Sequence, residues 1–169
     1  VEADPRYALA WNNLGVIRDQ LGRTDEALEA WQQALAVQPD LVAARLNLAL
    51  ALFQRRRLQL ALEAYRHVLA EHPDNAVAWN GVGLVLVELK RYEDARNAVT
   101  RSVESDPELA AAHYNLSVTL SHLGEYDGAL RATRRALEIE PLYVAQKYAL
   151  TIDLQYEHPE ITIVPEISA

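Results

Sequence analysis

The five histidines are the side chains of this sequence best suited to acid–base or metal chemistry. His67 and His72 are five residues apart, a poor helical spacing for chelating one metal ion. His113 stands in a column of aromatic residues, which favours a packed core histidine over a ligand. The sequence contains no His-Glu-x-x-His pair, nucleophile elbow or phosphate-binding glycine loop, and no cysteine. We therefore expect no catalytic residues, no metal site and no cofactor.

Asparagines recur at multiples of 34 residues, at Asn13, Asn47 and Asn115. The remaining position of the series is Gly81, with Asn80 directly before it. An amide both donates and accepts hydrogen bonds, so such a row suits the backbone of an extended peptide. The alternative is that asparagine is simply common at this position.

Charge narrows the classes of partner. The net charge is −8, which disfavours nucleic acid, because a binder needs basic surface to replace phosphate counterions. The dense basic run is Arg55–Arg57, and a solvated turn is favoured there over a docking patch for an acidic partner. No apolar run approaches the roughly 20 residues that span a bilayer, so no membrane segment is expected.

The elements that position these side chains are marked by prolines at a constant step of 34 residues, namely Pro5, Pro39, Pro73, Pro107 and Pro141. Counting each proline as unit position 32 gives four repeats, 8–41, 42–75, 76–109 and 110–143. Small residues recur at unit positions 8 and 20, where they let two helices approach closely. Apolar residues at 4, 7 and 11 share one helix face. A turn near unit position 15 uses Gly22 and Gly124 in two of the repeats. The pattern predicts an all-α chain of antiparallel helix pairs.

These columns resemble those of the tetratricopeptide repeat (TPR) family. The residues that carry the resemblance in the first repeat are Trp11, Leu14, Gly15, Ala27, Trp31, Ala34 and Pro39. Arg18, Arg45 and His113 depart from the aromatic columns, which puts local packing there in question. The resemblance implies an α-solenoid of stacked helix pairs in a right-handed superhelix, whose concave surface is lined by the first helix of each pair. Residues 1–7 would end a preceding repeat and 144–156 would form a capping helix.

The resemblance also implies a scaffold for protein–protein contacts. The second repeat's first helix is apolar on both sides, so its inner side is expected to await a partner, unless neighbouring first helices cover each other. The asparagine row is similar in style to that of O-linked N-acetylglucosamine transferases, where it holds peptide backbone. The cations of chaperone-tail clamps are missing. The predicted groove residues are Leu9, Asn13, Val16, Leu46, Asn47, Leu50, Phe53, Asn80, Leu84, Val87, Tyr114, Asn115 and Val118.

Residues 157–169 are expected to form an extended tail, since Pro159, Pro165 and a β-branched run oppose helix. The apolar tail side chains that suit a groove are Ile161, Ile163, Val164 and Ile167. We expect the tail to dock on its own or a neighbouring array; strand pairing or a packing contact is the alternative.

The expected function is a non-catalytic scaffold that binds a peptide or partner protein in an apolar concave groove. The alternatives are a recognition arm of a larger enzyme and a self-assembly module, so an oligomer is possible. The lack of methionine, even at position 1, suggests a piece of a longer protein. Arginine greatly outnumbers lysine, which is typical of a GC-rich bacterial genome. The sequence does not determine the cellular compartment, and the cytoplasm is favoured.

Overall fold

The computed structural model describes residues 5–144 and Lys147. All regular structure in these residues is helical, which confirms the predicted fold class. The helices are α1 (Pro5–Gln20), α2 (Thr24–Val37), α3 (Val42–Gln54), α4 (Leu58–Glu71), α5 (Ala76–Glu88), α6 (Tyr92–Ser105), α7 (Ala110–His122) and α8 (Tyr126–Ile139). The predicted tail, and the capping helix apart from Val144 and Lys147, lie outside the described residues.

The helices stack as a solenoid of successive pairs. Each odd-numbered helix packs against the even-numbered helix that follows it, and each even helix packs on the next odd one. Odd helices also contact one another directly, α1 with α3, α3 with α5 and α5 with α7. In contrast, no described Cα atom of α4 comes within 8 Å of one in α6. The odd helices therefore form the tighter, inner layer, and the even helices spread apart on the outside.

Small residues hold each pair together at the predicted columns. Ala27, Ala61 and Ala95 are completely buried. A Cβ atom on Gly15 would lie 2.5 Å from Nε1 of Trp31, and one on Gly83 would lie 2.2 Å from a Val99 methyl. These distances are too short for a side chain, so glycine is required for this close approach.

The turn inside each pair uses one left-handed residue at unit position 15. Gly22 and Gly124 have φ values of 73° and 77°, as the glycine pattern predicted. Arg56 and Lys90 adopt the same conformation, with φ values of 60° and 58°. Residues with a Cβ atom pay a steric penalty there, so the second and third repeats carry local strain that the others avoid.

Three residues at unit position 4 share a role that the aromatic column did not reveal. Trp79 donates from Nε1 to the carbonyl oxygen of Pro73 at 2.7 Å. Arg45 donates to the carbonyl of Pro39, and Nε2 of His113 lies 2.9 Å from the carbonyl of Pro107. The three side chains differ in shape but each places a nitrogen over the turn six residues earlier. His113 is buried, as predicted for a core histidine.

Candidate functional site

The predicted groove residues lie on the four odd helices, and they differ in exposure. Leu9 and Leu50 leave 51% and 43% of their surface exposed, and Asn13 is also exposed. Asn80 and Asn115 are buried. The half-buried remainder consists of Val16, Leu46, Asn47, Phe53, Leu84, Val87, Tyr114 and Val118.

A pocket of 180 Å³ opens between α1 and α3 on the inner layer. It brings together three of the predicted groove residues, Val16, Asn47 and Leu50. The rest of its lining comes from Trp31 and Ala51, with the polar side chains of Asp19 and Gln20. Apolar walls with a few polar groups are the usual composition of a site that accepts an apolar side chain.

Several of the predicted groove residues also pack against the hydrophobic core. Val16, Leu46, Phe53 and Val87 are partly buried and pack against the cluster of buried residues that runs through the array. Because their buried parts are already covered by neighbouring helices, a ligand would meet only their remaining surface. Among the large apolar side chains of α3, Leu50 is therefore the most exposed.

The asparagines form pairs between neighbouring odd helices. Nδ2 of Asn47 donates to Oδ1 of Asn12 at 3.0 Å, and Nδ2 of Asn115 donates to Oδ1 of Asn80 at 2.8 Å. Each bond joins unit position 5 of one repeat to unit position 6 of the next. A pair uses one of the two amide hydrogens of its donor, so Asn47 at the pocket retains capacity for another partner.

The α3–α5 junction has no such pair, because Gly81 occupies unit position 6. A Cβ atom there would lie 2.3 Å from Cζ of Tyr65. The Tyr65 ring, from α4, therefore fills the space that a side chain at this position would occupy. Tyr65 is 3% exposed, and burial raises the pKa of its phenol to about 12.

Sequence reasoning missed the role of Tyr65 at this junction because the residue lies on an even helix. The sequence did contain a signal. The third repeat has glycine in place of asparagine at unit position 6, and the repeat before it has a tyrosine at unit position 24.

Arginines and a histidine singled out from the sequence make contacts within the array. Arg55 forms an exposed ion pair with Asp25 at 3.0 Å, and Arg56 pairs with Glu88, so two members of the basic run link the turns of neighbouring repeats. His122 stacks on Tyr92 with ring centroids 4.6 Å apart. Among the described residues, no cluster of three or more His, Cys, Asp or Glu side chains has the geometry to hold a metal ion.

No helix within residues 5–144 combines the length and the hydropathy needed to cross a membrane.

Comparison with known proteins connects this geometry to a family. Models of the tetratricopeptide repeat match residues 18–76, 57–102 and 80–143, and a further model of the same repeat matches 1–29. The peroxisomal targeting signal receptor of Kluyveromyces lactis is 41% identical over 51 residues, which are 30% of this chain and 9% of the receptor. The chain thus matches about a tenth of the length of this curated relative.

Solved structures share the fold. A thermophilic TPR protein of Thermus thermophilus, TTC0263, superposes with a TM-score of 0.74 at 25% identity, over 79% of this chain and 75% of that one. MamA from Desulfovibrio magneticus gives 0.68 at 22% identity, over 83% and 77%. The first TPR of Spaghetti (RPAP3), bound to an HSP90 peptide, gives 0.68 at 21% identity, over 73% and 98%.

The helix pairs, the small-residue columns and the repeat models agree over most of the sequence. The chain belongs to the tetratricopeptide repeat family and has the fold of a protein–protein interaction scaffold.

Proposed function

We propose that the chain is a non-catalytic scaffold that binds a partner peptide along its inner layer, with the pocket between α1 and α3 as the anchor point. The observation that carries the proposal is the position of Leu50. Its side chain is 43% exposed and lines a pocket whose other apolar walls are Val16, Trp31 and Ala51. An apolar ligand side chain seated there would remove this surface from water.

Polar groups around the pocket suit a peptide backbone. Asn47 lines the pocket with Gln20 and Asp19, so amide donors and acceptors stand beside the apolar walls. A peptide that places one apolar side chain in the pocket brings its own backbone amides next to these groups. This arrangement supports an extended ligand in which backbone contacts give affinity and one anchor gives selectivity.

The ligand differs in charge from the acidic HSP90 peptide of the RPAP3 structure. Unit position 2, where chaperone-tail clamps carry lysine, is apolar in all four repeats here, with Leu9, Ala43, Val77 and Ala111. Asp19 also lines the pocket and would repel a ligand carboxylate. The proposed anchor is therefore an apolar side chain without an adjacent acidic group.

Two assembly variants of the proposal involve the chain itself or a longer protein. The apolar tail residues Ile161, Ile163, Val164 and Ile167 provide a candidate ligand, bound in the same or a neighbouring molecule. The curated relatives are receptors by name, and the match covers only a small part of them, so a recognition arm within a larger protein is the other variant.

The test is to pan a random dodecapeptide display library on the chain and to measure the selected peptides by fluorescence polarisation. Leu50→Asp is expected to weaken binding by about tenfold or more, because it replaces an apolar contact of roughly 1.5–3 kcal/mol by a charge. The matched control is Leu60→Asp, a leucine of similar exposure on α4. A synthetic peptide of residues 158–169, added as a competitor, separates tail docking from binding of foreign peptides.

Equal affinities for the Leu50→Asp and Leu60→Asp proteins would place the peptide site elsewhere. Circular dichroism of both variants shows whether the helical fold is kept.

A further inference from the structure

A crevice of 450 Å³ lies on the outer layer, where α4 and α6 diverge. Its apolar floor is formed by Leu69 of α4, Trp79, Val82 and Leu86 of α5, and Ala98 of α6. Val82 and Leu86 are almost fully buried, so they belong to the core and only their edges face the crevice. The crevice is therefore a gap between packed helices that reaches down to the core.

Three arginines surround this floor. Arg66 lies on α4, Arg91 directly precedes α6, and Arg101 lies within α6. Asp94, the carboxylate among the lining residues, is already bonded to Arg91, with Oδ2 2.8 Å from Nε. Among the described residues, no carboxylate lies within ion-pair distance of Arg66 or Arg101. The lining thus has net positive charge on a chain whose net charge is −8.

Arg101 and Trp79 contact each other within the crevice. The guanidinium carbon of Arg101 lies 5.2 Å from the centroid of the Trp79 ring, a cation–π arrangement. Trp79 is itself fixed by the hydrogen bond from its Nε1 to the Pro73 carbonyl. The ring therefore holds a guanidinium whose hydrogen-bond donors remain available to a carboxylate.

The other junctions between even helices lack this combination. The positions of Arg66 and Arg101 are taken by Gln32 and His67 at the α2–α4 junction. At the α6–α8 junction, Thr100 replaces Arg66 and Glu125 replaces Arg91. Because the helix geometry repeats while the charge does not, the basic lining is a property of these particular residues and not of the fold.

We infer that this outer crevice is a second binding site, which accepts an acidic peptide with an apolar anchor residue. Arg66 and Arg101 complement flanking Asp or Glu side chains, and the floor of Leu69, Trp79 and Leu86 accepts an apolar side chain between them. A small inorganic anion would use the arginines but leave this floor in contact with water. The site is distinct from the inner pocket in position and in charge preference, so the failure of either proposal leaves the other intact.

The test uses three synthetic heptapeptides, acetylated and amidated. The probe is Asp-Glu-Asp-Leu-Phe-Asp-Glu, the second replaces Leu-Phe by Ser-Ser, and the third replaces every acidic residue by its amide. Binding is followed in ¹H–¹⁵N spectra through the indole N–H signals of the three tryptophans, with Trp79→Phe to assign the Trp79 signal. The probe is expected to shift the Trp79 signal, and both altered peptides are expected to bind more weakly.

Charge-reversed variants assign the site. Arg66→Glu with Arg101→Glu is expected to lower the probe affinity by about tenfold or more, since it replaces two attractive contacts by repulsive ones. The control is Arg131→Glu with Arg134→Glu, which changes the net charge equally at two exposed arginines of α8. An unmoved Trp79 signal up to millimolar probe, equal binding of the Ser-Ser or amide peptide, or equal loss in both double variants would each overturn the inference.

Discussion

Replacing Asn80 and Asn115 by alanine, singly and together, tests whether the asparagine row is part of the packing between helices. Both side chains are buried, with 9% and 7% of their surface exposed, and one hydrogen bond of 2.8 Å joins them. Either single substitution leaves the remaining amide buried without this partner. The double substitution removes both polar groups at once.

The expected magnitudes follow from this geometry. An unsatisfied buried amide costs about 1–3 kcal/mol, so each single variant should lose stability in that range. The double variant creates no orphaned amide and should lose less than the sum of the singles. We expect the shortfall to be about 1–2 kcal/mol, which is the coupling energy between the two side chains.

The assay is urea unfolding followed by circular dichroism, analysed as a double-mutant cycle. The Asn12 and Asn47 pair is the internal comparison. Its bond is longer, at 3.0 Å, and Asn47 is only half-buried, so its coupling energy should be smaller. Additive effects of Asn80→Ala and Asn115→Ala, within about 0.3 kcal/mol, would refute the structural role of the pair.

Two further predictions concern strain and burial. Lys90→Gly should stabilise the chain by about 1 kcal/mol, because glycine adopts the left-handed turn conformation without the Cβ clash; Lys90→Ala should give no such gain in urea midpoint. Stability from the neutral Tyr65 phenol should be complete below about pH 10, its ordinary pKa. It should be lost as pH rises towards about 12, the raised folded pKa, by at most about 2.7 kcal/mol. The urea midpoint of the parent chain should fall relative to that of Tyr65→Phe as pH rises across this range. A constant difference between the two midpoints would show that burial does not raise the pKa.

The fold was predictable because its determinants repeat. The prolines and the small residues at unit positions 8 and 20 each appear several times at one spacing, so the pattern identified both helices of every pair. The glycine pattern predicted only two of the four turns, because glycine does not recur at unit position 15 in every repeat. Arg56 and Lys90 adopt the left-handed conformation because closure of the helix pair requires it, although the local sequence does not favour it.

The inner surface was less predictable because it depends on contacts between repeats. The 34-residue period places Asn115 and Asn80 on one surface, but it does not predict the hydrogen bond between these two side chains, which are 35 residues apart. The Tyr65 ring packs against α5 only because Gly81 leaves the space open. The arginines of the outer crevice come from two different repeats, so a reading of each repeat separately does not bring Arg66 and Arg101 together.

These contacts give the inner layer an alternating chemistry. Amide pairs join α1 to α3 and α5 to α7. At the α3–α5 junction the equivalent unit positions 5 and 6 hold Leu46 and Gly81, and the ring of Tyr65 fills the space beside the glycine. A peptide that ran across all four repeats would therefore meet polar, apolar and polar junctions in turn. Since the amide pairs already satisfy part of their own hydrogen bonding, the exposed side chain of Leu50, in the pocket between α1 and α3, offers the larger gain from burying apolar ligand surface. The preferred ligand should accordingly place its apolar residues over α3, and peptides selected on the chain should carry them near the centre of the bound segment.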